Sequence, residues 1–145
     1  MFYSKNAKNF VLANAKHIVF LTTICSTKKL KRKSIPKHLH GIYILIDAKT
    51  GEVLYVGQTQ KCVSSRAHCH LKSLSNPFLT NELTGLMFQA ANIPLDVEMD
   101  LYYIDSKHLD INTRDEYVSV ETMFKIALDA KANKFKCRHP KKDKI

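Results

Sequence analysis

Five side chains in this chain could do chemistry together. Tyr43 and Tyr55 offer phenols, Arg66 a permanent cation, His70 an imidazole that titrates near neutrality, and Glu121 a carboxylate. Taken singly, most of these residues are ordinary. Tyrosines suit strands, and an arginine and histidine four apart are the normal dress of a solvated helix face. Glu121 is different, because Tyr117, Val120, Phe124, Ala127 and Leu128 fall on one helical stripe and Glu121 falls inside it. A carboxylate on an apolar face is costly unless it is paired, reaches the stripe edge or holds a cation.

The elements that must position these groups follow from local pattern. Apolar runs at 40–46 and 52–57 flank the turn-like Asp47-Ala48-Lys49-Thr50-Gly51, which predicts a β-hairpin. Residues 63–74 hold no Gly or Pro and end near Asn76-Pro77, which predicts a helix with Arg66 and His70 on one face. A hairpin followed by such a helix forms one polar site. A second helix is expected over 78–91, and alternation from Leu95 to Tyr103 predicts a half-exposed strand. A polar loop follows at 105–112. Thr113-Arg114-Asp115-Glu116 fits a capping box, starting a helix that runs to about Ala130 before Asn133 interrupts the pattern. Upstream, apolar clusters within residues 4–24 predict a partly buried helix.

Charge is placed unevenly. The 145 residues carry a net charge of +10, yet residues 1–46 hold nine Lys/Arg and no Asp or Glu. An excess on this scale points to a polyanionic partner. The basic run Lys28, Lys29, Lys31, Arg32 and Lys33, with Lys37, Lys61 and Lys72, gives the candidate phosphate contacts. Composition, at 45% hydrophobic and 25% charged residues, fits a soluble domain. The division expected is a basic N-terminal extension over 1–39, a main domain over 40–137 and a basic tail over 138–145. Four cysteines without a CxxC pair, and no apolar run near membrane length, point to a reducing, cytoplasmic setting. Cys62, His68, Cys69 and His70 are poor zinc ligands, because adjacent helical residues point about 100° apart.

The ordered set Gly41-Ile42-Tyr43, Tyr55-Val56-Gly57, Arg66-x-x-x-His70 and Glu121 resembles the GIY-YIG nucleases, over about residues 40–137. Val56 stands where the motif name has isoleucine, keeping an apolar β-branched residue. The family often has an asparagine after the glutamate. Asn133 fits by order, while Asn92 and Asn112 are also present. The resemblance implies an α+β fold: a small central antiparallel sheet of about three strands flanked by helices, here with the basic N-terminal helical extension. It also implies metal-dependent cleavage of DNA phosphodiesters, as in restriction, phage, mobile-element or repair nucleases. Tyr43 would then be a general base with a depressed pKa. Arg66 would supply that cation and grip the phosphate, and Tyr55 would order the site. His70 would shuttle a proton, and Glu121 would be the one protein ligand of a Mg²⁺ or Mn²⁺ ion. Cutting both strands with one site per chain requires a homodimer or two successive nicks. The competing expectation is a non-catalytic nucleic-acid-binding module on the same scaffold. A basic RNA- or ribosome-associated protein is favoured by charge alone.

Overall fold

The computed structural model describes residues 2–137, excluding the side chains of residues 2–4 and 32. The fold is α+β. A four-stranded sheet, wholly antiparallel and ordered β1-β4-β2-β3, is built from β1 (Val19–Ile24), β2 (Gly41–Asp47), β3 (Val53–Thr59) and β4 (Met99–Asp105). Helices cover both faces: α1 (Phe2–Asn14), α2 (Val63–Ser75), α3 (Thr84–Ala90), the single turn α4 (Ser106–Leu109) and α5 (Arg114–Leu128). The basic tail expected over 138–145 lies outside the described residues. Among the described residues, no helix is long and apolar enough to cross a membrane.

Strand alternation divides the core in two. Tyr43 and Leu45 of β2 join Leu101 and Tyr103 of β4 against Val63, Ala67 and Leu74 of α2 and Phe88 of α3. Ile42 and Ile44 point the other way, with Val56 and Ile104, against Val11 of α1 and Tyr117, Val120 and Phe124 of α5. Phe10 meets Phe124 edge to face at 6.3 Å, tying α1 to α5.

The hairpin forms as expected around its turn, where Asp47 Oδ1 accepts from the backbone N–H of Lys49 at 2.8 Å and of Thr50 at 3.2 Å. The capping box also forms: Thr113 accepts from the Glu116 N–H while Glu116 Oε1 accepts from the Thr113 N–H at 3.0 Å. Four elements differ from the sequence reading. The helix expected over 4–24 stops at Asn14, whose side chain donates back to the Phe10 carbonyl. The β-branched Val19, Thr22, Thr23 and Ile24 then form an edge strand on β4. The N-terminal segment is therefore built into the sheet, which has four strands rather than three. The helix expected over 78–91 is shortened to 84–90. The strand expected over 95–103 begins at Met99, after a turn in which the Val97 N–H donates to the Pro94 carbonyl. The loop over 105–112 contains α4, whose first turn is capped by Asp105.

Candidate active site

The motif glycines are there to let something approach. Gly57 stands opposite Tyr43 in the β2–β3 register, and paired residues point to the same face. A Cβ at Gly57 would collide with the Cζ and hydroxyl of Tyr43, so the phenol crosses the space a side chain would fill. Gly41, at φ 149°, lies so close to β4 that a Cβ would strike the Ile104 carbonyl.

The helix α2 delivers the partners of Tyr43. Arg66 and His70 share a face as their spacing requires, and both reach one oxygen: Tyr43 Oη lies 2.7 Å from His70 Nε2 and accepts from Arg66 Nε at 3.4 Å. The Tyr55 ring stands 4.9 Å from His70 and 6.3 Å from Tyr43, centroid to centroid. Behind them sits Glu82, absent from the sequence reading. Its Oε2 accepts from Arg66 at 2.6 Å, and its Oε1 accepts from the Thr84 hydroxyl at 3.1 Å. Thr84 Oγ1 in turn contacts His70 Nδ1, which lies 3.9 Å from Glu82 Oε1. Glu82 arrives on the loop that replaces the first part of the expected helix, held there because its carbonyl accepts from Ser73 of α2 at 2.9 Å.

Electrostatics correct two expectations. Tyr43 is only 2% exposed, and burial pushes its phenol well above the usual range in spite of the Arg66 charge, so the depressed pKa expected of a phenolate base is not found. Burial likewise raises Tyr55. His70 is fully buried, and loss of hydration drives its imidazole down to about 4, outweighing the pull of Glu82. It is a neutral ring at pH 7 rather than one poised near neutrality. Burial works against ionisation of Glu82, yet His70, Arg66 and its hydrogen bonds hold its carboxyl below the usual range.

A cleft of ≈ 360 Å³ opens over this cluster, lined by Tyr43, Tyr55, Gln58, Thr59, Gln60, Lys61, Arg66, Arg114 and Glu121. It lies beside β3, the outer strand of the sheet, between Arg66 of α2 and Glu121 of α5. Glu121 stands at the edge of the apolar stripe of α5 rather than inside it, and it lines the cleft. Its side chain is 15% exposed and pairs with Lys125 at 3.4 Å. Burial raises its carboxyl pKa against the opposing pull of Lys125, so it is a carboxylate that gains from a nearby cation. Among the described residues, no group of three or more His, Cys, Asp or Glu side chains gathers to hold a metal. A lone carboxylate beside open space fits an ion such as Mg²⁺, which keeps water and phosphate oxygens as most of its ligands. Arg114 was also missed, although two turns separate it from Glu121 on one helix face.

Asn133 does not enter the cleft. Its side chain accepts from the Val56 N–H at 2.7 Å and donates to the Val56 carbonyl at 3.1 Å, from outside the sheet edge. Of the expected phosphate contacts, Lys61 lines the cleft. Beyond it lies a depression of ≈ 280 Å³ that shares Arg66 and includes Lys72. A third, of ≈ 580 Å³, shares Lys72 and reaches Lys28 and Lys29, and a fourth, of ≈ 540 Å³, carries Lys28, Lys29 and Lys31. Lys33 and Lys37 are exposed but line none of these depressions. The Arg32 side chain lies outside the described residues.

Comparison of the chain with protein-family models, with curated proteins and with solved structures returns no match.

Proposed function

We propose that this protein is a metal-dependent endonuclease that hydrolyses DNA phosphodiester bonds, in the manner of the GIY-YIG nucleases it resembles. One observation carries the reading: a tyrosine that lines a cleft, its hydroxyl 2.7 Å from a buried neutral imidazole, with Arg66 and Glu121 lining the same space. Arg66, Arg114 and Lys61 supply cations for a phosphate, Arg66 through a guanidinium already oriented by Glu82. A water against Tyr43 gives its proton to Oη while the hydroxyl passes its own proton to His70. Tyr43 is then never a free phenolate, so its raised pKa is no obstacle. The water oxygen bonds to phosphorus, the bond to the leaving oxygen breaks, and that oxygen takes a proton from solvent. A divalent ion such as Mg²⁺ or Mn²⁺, held by Glu121, would neutralise charge on the phosphate and the leaving oxygen.

The test is nicking of a supercoiled plasmid by purified protein, with Mg²⁺ or with a chelator. Glu121→Gln should abolish nicking and leave DNA binding intact. Tyr43→Phe should slow single-turnover cleavage by about 10² to 10⁴, the usual cost of removing a general base. A Tyr43→Phe protein within about threefold of wild type would remove Tyr43 from this role. A wild-type protein that binds DNA and never nicks it would leave the non-catalytic binding module standing instead.

A further inference from the structure

We propose that Glu82 and Thr84 are positioning residues that fix the tautomer of His70, so that its Nε2 is bare and accepts the Tyr43 proton. The inference rests on the nuclease reading for its catalytic consequence, but its chemistry follows from hydrogen-bond arithmetic alone. Glu82 Oε2 lies 2.6 Å from the Arg66 guanidinium, which marks the group as an ionised carboxylate with acceptors only. Its Oε1 must therefore take the single proton of the Thr84 hydroxyl, 3.1 Å away. With that proton committed, Thr84 Oγ1 can meet His70 Nδ1 only as an acceptor, so Nδ1 carries the ring hydrogen. A neutral imidazole protonated at Nδ1 has a free lone pair at Nε2, the atom 2.7 Å from the Tyr43 hydroxyl. The Tyr43 hydroxyl must therefore donate to His70. Its oxygen keeps a lone pair for the water.

The same carboxylate thus sets both partners of the phenol, Arg66 through one oxygen and His70 through the other. When the water's proton moves to Tyr43 and the Tyr43 proton to Nε2, the imidazolium formed keeps its Nδ1–H on Thr84, with the Glu82 charge behind it. No proton has to travel beyond His70. The opposite tautomer would point an N–H at Tyr43, force its hydroxyl toward the cleft as a donor, and leave no acceptor for its proton.

The wild-type protein tests this without any substrate. Long-range ¹⁵N–¹H spectra of histidine-labelled protein, with His70 peaks identified by their loss in His70→Gln, should show a protonated Nδ1 and a bare Nε2. Thr84→Val keeps the shape and removes the acceptor, so its His70 should move to the Nε2–H tautomer. Cleavage should fall about 10²-fold in single turnovers, with DNA affinity unchanged. Thr84→Ser should restore both. An Nε2–H ring in the wild type overturns the inference and with it the proton transfer from Tyr43 to His70, while metal-dependent cleavage itself is still judged by plasmid nicking. A Thr84→Val ring that keeps its proton on Nδ1 overturns the part given to Thr84 and leaves Glu82, 3.9 Å from Nδ1, as the group that sets the tautomer. A wild-type protein with the expected tautomer and no metal-dependent cleavage supports the hydrogen-bond assignment and overturns the nuclease reading. If Thr84→Val does not fold, the wild-type spectrum still decides.

Discussion

Tyr43, Arg66, His70, Glu82 and Thr84 form a polar cluster between the apolar core and the cleft, and such clusters are worth having only when every member is satisfied. Here the ring nitrogens of His70, both Glu82 oxygens and the Tyr43 hydroxyl all have partners. The same burial makes the cluster sensitive to acid. The folded protein holds His70 at about 4, whereas an unfolded histidine titrates near 6.5. Between those values the unfolded chain binds a proton that the folded chain refuses, so stability rises with pH and is lost as pH falls through the window. The loss from this residue should approach about 3 kcal/mol by pH 4. Glu82, held below its usual range, adds to the loss at the acid end of the window. Urea midpoints measured at intervals from pH 7 to pH 4.5 should fall steadily in the wild type and much less in His70→Gln. Parallel curves for the two proteins would show that the imidazole titrates as freely folded as unfolded.

At the scale of elements, β3 matters most, because it is both the edge of the sheet and the rim of the cleft. An edge strand exposes unpaired backbone groups, and proteins cover them. The segment after α5 does so here: the Lys131 N–H donates to the Val53 carbonyl at 3.0 Å, and the Asn133 side chain grips both backbone groups of Val56. Val56 is fully buried, so cutting this clamp leaves two polar groups dry. Asn133→Ala should therefore cost about 2–3 kcal/mol of unfolding free energy, measured in urea. A loss under about 0.5 kcal/mol would mean that water replaces the amide. The residues explain what could be read from sequence. The hairpin, α2 and α5 were legible because turn chemistry, an i,i+4 pair and the Thr113–Glu116 box are local. β1 was missed because its apolar residues suit either period, and only the open edge of β4 decides between them. Glu82 and Thr84 were missed because they reach the site through a loop held by a side chain of α2, and no sequence spacing records that contact. Asn133 was found by order along the chain, yet its geometry gives it work on the strand edge rather than on a phosphate.

For the whole molecule, the question is how a chain with nine positive and no negative residues in its first 46 uses that charge. Removing this segment would not be a clean test, since it contains β1 and the α1 packing against α5. The charge has to be removed in place. Lys28, Lys29 and Lys31 are exposed on the loop after β1, and the depressions they line run past Lys72 of α2 to Arg66 at the cleft. On the proposed nuclease reading, DNA seated in the cleft and following that course would meet the three lysines at a distance from the reacting bond. Neutralising them should then weaken binding to DNA of any sequence and leave the chemical step alone. For each phosphate deprived of its lysine, the plot of log K against log salt should flatten by about 0.9 on duplex DNA, so the triple Lys28→Ala, Lys29→Ala, Lys31→Ala variant should lose a slope of about 3 at most. Of the three, Lys28 should count least, because it is already paired with Glu98 at 3.6 Å. The single-turnover cleavage rate at saturating DNA should stay within about twofold of wild type. An unchanged salt slope in a variant that melts like the wild type would mean that DNA does not follow this course and that the basic loop meets a different anion.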